Sequence, residues 1–127
     1  MDSSATVRQL TAAYFDRLER RDWDGFAALL AEDVVYEMPQ SRERIRGRAA
    51  YLRFNQDYPG DWHLTVRRLV CEDRFAAAWI DARVGAEHQD ACVWLEVSGD
   101  HLISRVVDYW PEPSDPMPGR EHLVERW

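Results

Sequence analysis

The sequence lacks the marks of several large classes of protein. No apolar run approaches the ~20 residues of a membrane-spanning helix, and the first ten residues show no charged-then-apolar secretion signal. The formal charge is −7, whereas phosphate binding requires a clustered basic surface. We therefore expect a cytoplasmic protein with no membrane partner and no nucleic-acid partner. The one basic cluster is interpreted as a solvated loop, with a lid or an anion contact as the alternative; it comprises Arg42, Arg44, Arg46 and Arg48.

The sequence is also poor in groups for nucleophilic, metal or nucleotide chemistry. It has no G-x-S-x-G motif and no glycine-rich phosphate loop. Cys71 and Cys92 each lie in an apolar, strand-like stretch, which favours buried free thiols over a disulfide. His88 and Asp90 alternate on one strand face, but a metal site needs three or four ligands. We expect no metal and no cofactor.

The chain does have enough residues, 127 with 46% hydrophobic, for one domain with one core, residues 1–127. Apolar residues at helical spacing predict a first helix from about 5 to 20. Asp22 is a suitable N-cap for a short second helix, and Pro59-Gly60 ends a third. The residues that define the three helices are Val7, Leu10, Tyr14 and Leu18, then Phe26, Leu29 and Leu30, then Ala49, Leu52 and Phe54.

The second half changes to long extended segments, which a short strand at 34–37 precedes. They cover roughly 61–73, 75–85, 88–98 and 101–110, with a hairpin signal at Ser98-Gly99-Asp100. Helices first and strands second indicate an α+β fold, in which three helices cover one face of a strongly curved antiparallel sheet and leave a cavity at its open end. The proline-rich extension 111–127 is predicted to be extended, with Leu123, Val124 and Trp127 closing over the core or a partner subunit.

Motifs at both ends of the chain resemble those of the nuclear transport factor 2-like superfamily. They are D-x-D-G at 22–25, L-x-A-x-D at 29–33, R-G-R-x-A at 46–50 and the closing segment 99–110. This superfamily includes SnoaL-like polyketide cyclases, ketosteroid isomerases, scytalone dehydratases and limonene epoxide hydrolases. The resemblance implies a cone-shaped, cystatin-like α+β barrel around a small-molecule pocket, and it leaves the activity open because the fold supports many activities.

The residues that the resemblance places at catalytic positions do not match one known mechanism. Ketosteroid isomerases have a tyrosine on the first helix, which Tyr14 matches, but Met38 stands where their base lies and Val93 falls near their second acid. Methionine cannot act as a general base and valine donates no hydrogen bond, so that mechanism is excluded. Of the Asp-Arg-Asp set of limonene epoxide hydrolases, Arg83 and Asp108 match two members, and Asp81 is a substitute for the third.

Alternation along the strand at 75–85 separates a face of aromatic and charged residues from an ordinary core face. Under the family alignment the first face, which holds Phe75, Ala77, Trp79, Asp81 and Arg83, lines the cavity. Burial would raise the pKa of Asp108 unless Arg83 offsets the rise, which makes Asp108 a candidate general acid or base. The alternative is a structural Asp–Arg pair between adjacent strands.

The pocket walls are predicted to be aromatic and apolar, which favours a flat or aromatic ligand. The candidate substrate-binding residues are Tyr14, Tyr36, Trp62, Trp79, Met38, Val93 and Val106, with Trp94 as a further aromatic wall, and simple core packing is the alternative for each. The catalytic candidates are Asp108, Arg83 and Asp81.

Three functions fit this sequence. The first is a cofactor-free isomerase, cyclase, dehydratase or hydrolase, in which Asp108 moves a proton while Arg83 and Tyr14 stabilise negative charge. The second is a ligand carrier or sensor with the same pocket. The third is an interaction protein that associates through its sheet. In each case we expect a homodimer formed by the outer sheet faces.

Overall fold

The computed structural model describes residues 3–127, with side chains from residue 5 onward. Along this part of the chain the helices are α1 (Ser3–Arg20), α2 (Trp23–Ala28) and α3 (Arg48–Gln56). The strands are β1 (Leu30–Met38), β2 (Glu43–Arg46), β3 (Trp62–Glu72), β4 (Phe75–Val84), β5 (Glu87–Val97) and β6 (Ile103–Tyr109), and a 3-10 turn lies at Glu121–Leu123. The predicted α+β class is confirmed.

The sheet contains these six strands in the order β2-β1-β6-β5-β4-β3. Strand β1 runs parallel to β6, with Tyr36 opposite Val106, and the other neighbours are antiparallel. The sheet is therefore mixed rather than antiparallel throughout. The reason is that the first long strand lies beside the last one, and a parallel neighbour needs a long crossover, which α3 and β3 to β5 provide here.

Residues 43–46, interpreted from sequence as part of a solvated loop, form the edge strand β2. Ile45 is half-buried and pairs with Tyr36, whereas Arg44 and Arg46 are exposed. One apolar residue between two arginines is therefore the alternation of an edge strand, whose charges discourage pairing with other chains. The Arg44 guanidinium also donates to Glu37 Oε2 from Nε at 3.0 Å and Nη2 at 2.8 Å.

The D-x-D-G motif has a local physical cause at the start of α2. The Asp22 carboxylate accepts a hydrogen bond from the backbone N–H of Gly25 at 3.0 Å and so caps the helix. A Cβ atom on residue 25 would lie 2.3 Å from Asp22 Oδ2. The cap therefore requires glycine at this position, and it directs the chain from α1 into β1.

The core lies between the helices and the concave face of the sheet. On β4, alternate residues from Ala76 to Ala82 are buried there, and three of these four side chains are alanines, which allows α1 to pack closely on the sheet. An irregularity in register between Val66 and Arg68 interrupts the β3–β4 ladder. Such irregularities bend a strand and increase its twist, which favours the curvature that encloses a cavity.

Two further predictions concern the cysteines and the location of the protein. Cys71 and Cys92 are free, as expected, but half-buried rather than buried, and burial raises the pKa of both thiols. Among the helices of residues 3–127, none is long and apolar enough to cross a membrane. The cytoplasmic location stays a prediction.

Candidate functional site

A cavity of about 80 Å³, measured as space open to the centres of water-sized molecules, lies between the helices and the concave face of the sheet. Water needs roughly 10–15 Å³ in this measure, so the cavity has room for several waters or a small organic group. Its walls are mostly aromatic and include Tyr14 and Phe15 of α1, Tyr36 of β1, Tyr51 and Phe54 of α3, and Trp62 of β3. Within the described chain, no arginine or histidine lines the cavity.

The only carboxyl group among the lining residues described is that of Asp108, on β6. Its residue is 9% exposed, and the Tyr36 hydroxyl donates a hydrogen bond to Oδ2 at 2.5 Å. Oδ1 is buried and has no hydrogen-bond partner within the described chain. The carboxyl group can therefore accept one more hydrogen bond from a molecule in the cavity.

Burial raises the pKa of Asp108 to about 6, and the nearby Trp110 indole and the Tyr36 hydroxyl limit the rise. No cation offsets the loss of water, since the lining contains none in the residues described. A carboxyl group with this pKa is about nine-tenths ionised at pH 7 and exchanges its proton readily near that pH. This meets the requirement for a general acid or base.

A second polar group in the cavity is the hydrogen-bonded pair of Tyr14 and Tyr51. Burial is the main cause that raises the pKa of both hydroxyls, and the nearby Asp108 adds to the rise. Both tyrosines are therefore neutral. Two hydroxyl groups hold two protons and share one hydrogen bond, so one O–H is left to donate to a ligand oxygen.

The rings of these tyrosines form one packed cluster. Tyr36 stacks on Tyr51 with ring centroids 4.6 Å apart and planes at 25°. Phe54 lies 5.4 Å from Tyr36, and Phe26 contacts both Tyr14 and Tyr51. Stacking fixes the ring planes, which in turn fixes the direction of each hydroxyl group.

The wall at Trp62 is held from outside by the end of α1. The Arg21 guanidinium lies 3.3 Å from the Trp62 ring centroid and donates to the Trp62 carbonyl. Next to it, the Glu19 carboxylate accepts hydrogen bonds from the Leu64 backbone N–H and from His63, each at 2.9 Å. The side chains of Glu19 and Asp61 raise the pKa of His63, Glu19 most.

The prediction that Trp79, Asp81 and Arg83 line the cavity was wrong. The face of β4 that lines it holds Ile80 and Ala82, whereas Trp79 is 50% exposed on the outer face of the sheet. The inner face of β4 instead carries apolar residues, Ala76, Ala78, Ile80 and Ala82, which are buried beneath the helices. Trp94, also 50% exposed, lies on the outer face of β5.

Asp81 is buried on that outer face beside two arginines and a histidine. Its Oδ2 lies 3.4 Å from Arg83 Nη2 and 3.6 Å from Arg67 Nη2, and its Oδ1 contacts His88. Arg67 also reaches Asp90, to which the Trp79 indole donates at 2.9 Å. The Asp–Arg–Asp arrangement of an epoxide hydrolase is therefore not assembled, since Asp108 alone of the three faces the cavity.

The remaining predicted residues have varied positions. Tyr14, Tyr36, Trp62, Met38 and Val93 all line the cavity. Val106 does not; its neighbours on β1 and β5 enclose it completely in the core.

The contribution of α3 to the cavity was not predicted from the sequence. Tyr51, Phe54 and Asn55 of α3 line it, together with Tyr58, which follows the helix. The spacing of four residues places the polar-tipped Tyr51 and Asn55 on one side of a helix, a signal that was available from the sequence. Trp110, directly after β6, also lines the cavity; alternation along the last strand placed it on the same face as Asp108, but it was not among the predicted site residues.

Within the residues described, no three His, Cys, Asp or Glu side chains are grouped to hold a metal ion. The absence of a metal and of a cofactor stays a prediction. The cavity's own side chains supply one carboxyl group, the free O–H of the Tyr14–Tyr51 pair, the polar ends of Asn55 and Tyr58, and aromatic walls.

Comparison with known proteins identifies the relatives of this chain. Residues 11–110 match the SnoaL-like domain family. A solved protein of Kribbella flavida DSM 17836, provisionally named a ketosteroid isomerase, is 56% identical over 100% of this chain and 93% of its own, with a TM-score of 0.95. An NTF-2 like protein of unknown function from Burkholderia xenovorans LB400 is 19% identical over 98% of both chains, with a TM-score of 0.82. An LEH-like epoxide hydrolase of M. tuberculosis is 21% identical over 85% of this chain and 84% of its own, with a TM-score of 0.72. No curated protein matches the chain in sequence. The predicted family resemblance is confirmed.

Proposed function

The chain belongs to the SnoaL-like domain family, and from this premise we propose that its cavity binds a small aromatic or apolar molecule, with which Asp108 exchanges a proton without a cofactor. Neighbours of this fold have isomerase, polyketide cyclase and epoxide hydrolase names. The proposal is therefore an acid–base enzyme of the isomerase, cyclase, dehydratase or hydrolase kind.

The observation that supports this proposal best is the unpartnered Oδ1 atom of Asp108. Buried polar atoms are nearly always hydrogen-bonded, and leaving one without a partner costs roughly 1–3 kcal/mol. A carboxylate oxygen that bears this cost while facing a cavity is suited to a ligand that supplies the missing donor. The raised pKa, about 6, suits proton transfer near neutral pH.

In the proposed reaction, ionised Asp108 removes a proton from a carbon atom next to a ligand carbonyl group. The electron pair of the broken C–H bond moves toward the carbonyl oxygen, where the free O–H of the Tyr14–Tyr51 pair donates a hydrogen bond. Asp108 then returns the proton to another position of the same molecule. Tyr36 holds the carboxyl group in orientation through Oδ2 throughout.

This route differs from the one that the provisional name of the Kribbella flavida relative suggests. At the end of β1, where a steroid isomerase has its base, the side chain facing the cavity is Met38. Val93, opposite Asp108 in the β5–β6 ladder, has no acidic group. If the chain is an isomerase, its carboxylate acts from β6.

A non-catalytic ligand carrier is the second function that this cavity fits. It would gain support if Asp108 were tied to Asp81 and Arg83, but those two residues lie on the opposite face of the sheet. The carrier needs the aromatic walls and not the proton exchange, so the two functions differ in a measurable way.

Hydrogen–deuterium exchange tests the proposal without knowledge of the natural substrate. Small aromatic ketones are incubated with the protein in D2O, and loss of the protons beside the carbonyl group is followed by NMR. We expect exchange with at least one ketone and a loss of at least about 100-fold in Asp108→Asn, the usual size of a general-base effect. Asp81→Asn, which changes a carboxylate of similar burial outside the cavity, is the matched control and retains exchange.

Quenching of Trp62 and Trp110 fluorescence reports ligand binding in the same samples. Full exchange activity in Asp108→Asn would contradict the proposed role. Ketones that bind without any exchange would favour the carrier instead.

A further inference from the structure

The C-terminal arm, residues 111–127, extends away from the body of the protein. Every one of its residues is exposed, including Met117 at 66%, Leu123 at 73% and Trp127 at 114% of the reference area. Within residues 3–127, its one hydrogen bond to the body is from Gln89 Nε2 to the Pro111 carbonyl at 2.7 Å. Exposed apolar side chains at this density require an explanation, because an unfolded tail usually lacks them.

The arm also has a defined path. The TM-score with the Kribbella flavida relative is 0.95 over the whole chain, whereas residues 1–110 alone would give at most about 0.87 (110/127). The arm must therefore superpose on the corresponding segment of that solved structure. A segment that is away from its own body and still follows a fixed path is typical of contact with another molecule.

A surface that fits such a segment lies on the outer face of the sheet. We call it the outer groove; it has a volume of about 650 Å³, and its lining includes the aromatic Trp94 and Tyr109, three arginines and three glutamates: Arg42, Arg44, Arg105, Glu37, Glu43 and Glu96. Trp94 and Tyr109 are 50% and 41% exposed. Glu37 forms ion pairs with Arg44 and Arg105 and accepts two hydrogen bonds from each, whereas Arg42 has no ion pair in the described chain.

The arm and the outer groove are chemically complementary. Four prolines in residues 111–118 favour the extended polyproline II conformation, whose binding to aromatic-lined grooves costs little entropy. Between them, Glu112 and Asp115 have no ion pair within the residues described, and Arg42 is the groove arginine that Glu37 and Glu96 leave without one. Trp94 and Tyr109 provide the aromatic surface.

The arm does not lie in the groove of its own copy, since all of its residues are exposed. Tyr109 precedes the arm by two residues, so the chain would have to reverse at once to enter the groove. Eight residues of polyproline II span about 25 Å, whereas stacked sheets lie about 10 Å apart. The arm is therefore long enough to reach a second copy that packs against the outer face.

We propose that the arm of each copy lies in the outer groove of a second copy, so that two arms are exchanged in a symmetric dimer. The outer sheet faces of the two copies are expected to be in contact, and the exchanged arms add a specific contact that fixes how the two copies align. It does not rest on the proposed function, because the groove opens on the face opposite Asp108.

Sedimentation velocity of the full chain between about 1 and 100 μM is the first test. We expect a dimer whose dissociation constant rises at least 10-fold when residues 111–127 are removed. The core lies entirely within residues 7–110, so the shortened chain keeps its fold, which near-UV circular dichroism verifies. A full chain that is monomeric, or a dimer that the truncation does not weaken, would overturn the proposal.

Cysteine trapping in the full chain distinguishes the partner's groove from the chain's own. A Ser114→Cys chain and a differently tagged Arg42→Cys chain are mixed and oxidised, and we expect a disulfide between the two chains. Asp100→Cys, at the exposed turn between β5 and β6, is the matched control and should not cross-link. No cross-link between copies, or a disulfide formed only within one chain in the Ser114→Cys, Arg42→Cys double variant, would refute exchange.

Discussion

Replacing Asp108 by asparagine should make the stability of the protein less dependent on pH. In the folded state burial raises the pKa of this carboxyl group to about 6, against 3.8 for the exposed group. Between these values the unfolded chain has released the proton while the folded chain retains it. Because the folded state then binds more protons, the free energy of unfolding decreases as the pH rises through this window.

The size of this effect follows from the shift of about two pKa units. Each unit corresponds to 1.36 kcal/mol, so the wild type loses about 3 kcal/mol between pH 3 and pH 8 through this group alone. Asparagine has the same shape and no charge. Relative to the wild type, Asp108→Asn should therefore gain about 3 kcal/mol between pH 3 and pH 8, of which about 2 kcal/mol falls between pH 4 and pH 7.

Urea unfolding of both proteins at several pH values measures this difference. Other groups also titrate: Arg44 and Arg105 lower the pKa of Glu37, and Glu19 raises the pKa of His63. These groups occur in both proteins, so their contributions cancel when the two free energies of unfolding are subtracted. A difference between the two proteins that stays constant within about 0.5 kcal/mol from pH 4 to pH 8 would refute the reasoning. It would mean that water reaches the carboxyl group freely.

Three smaller changes test other parts of the structure. Tyr36→Phe removes the hydrogen bond to Asp108 Oδ2 and should raise the pKa of Asp108 above about 6. Carbon NMR of the carboxyl group measures this pKa, and an unchanged or lower value would contradict the contact. Gly25→Ala should lower the free energy of unfolding in urea by about 1–2 kcal/mol because it displaces the Asp22 cap, and no loss would show that the cap is dispensable. Ala82→Phe should fill the cavity and abolish ligand-induced quenching of tryptophan fluorescence, whereas Arg83→Ala, on the outer face, should leave the quenching unchanged. The reverse pattern would show that the ligand binds at the other face of β4.

The sequence was sufficient for the class of fold and for the cavity residues on α1 and β1. Helical spacing around Tyr14 and the capping motif at Asp22 are local signals, and both elements form where these signals predict. The choice of face on β4 was not local. Alternation separates the two faces, but only the size of the space beneath α1 decides that Ala78 and Ile80 point inward while Trp79 points out.

The same limit explains the pairs that the sequence could not give. Asp108 and Tyr36 are 72 residues apart, and they meet because β1 lies beside β6 in a parallel register. Tyr14 and Tyr51 meet because α3 packs on β1 and α2 after the excursion through β1 and β2. Each contact depends on the order of strands in the sheet, which no local pattern determines.

The two buried aspartates show why similar burial leads to different chemistry. Asp81 and Asp108 are 8% and 9% exposed, yet Asp81 has two guanidinium groups and an imidazole around it, whereas Asp108 has aromatic side chains. Asp81→Asn removes the charge that holds Arg67 and Arg83 together, so it should lower the free energy of unfolding at pH 8, by about 1 kcal/mol because both arginines are largely solvated.

Asp108→Asn should change the free energy of unfolding at pH 8 in the opposite direction, since it removes a charge that no cation stabilises. A stabilising change at a residue that faces a cavity, together with loss of proton exchange, is the pattern of a group retained for function. If both substitutions destabilise the protein equally at pH 8, Asp108 is a structural residue and the ligand carrier becomes the better account.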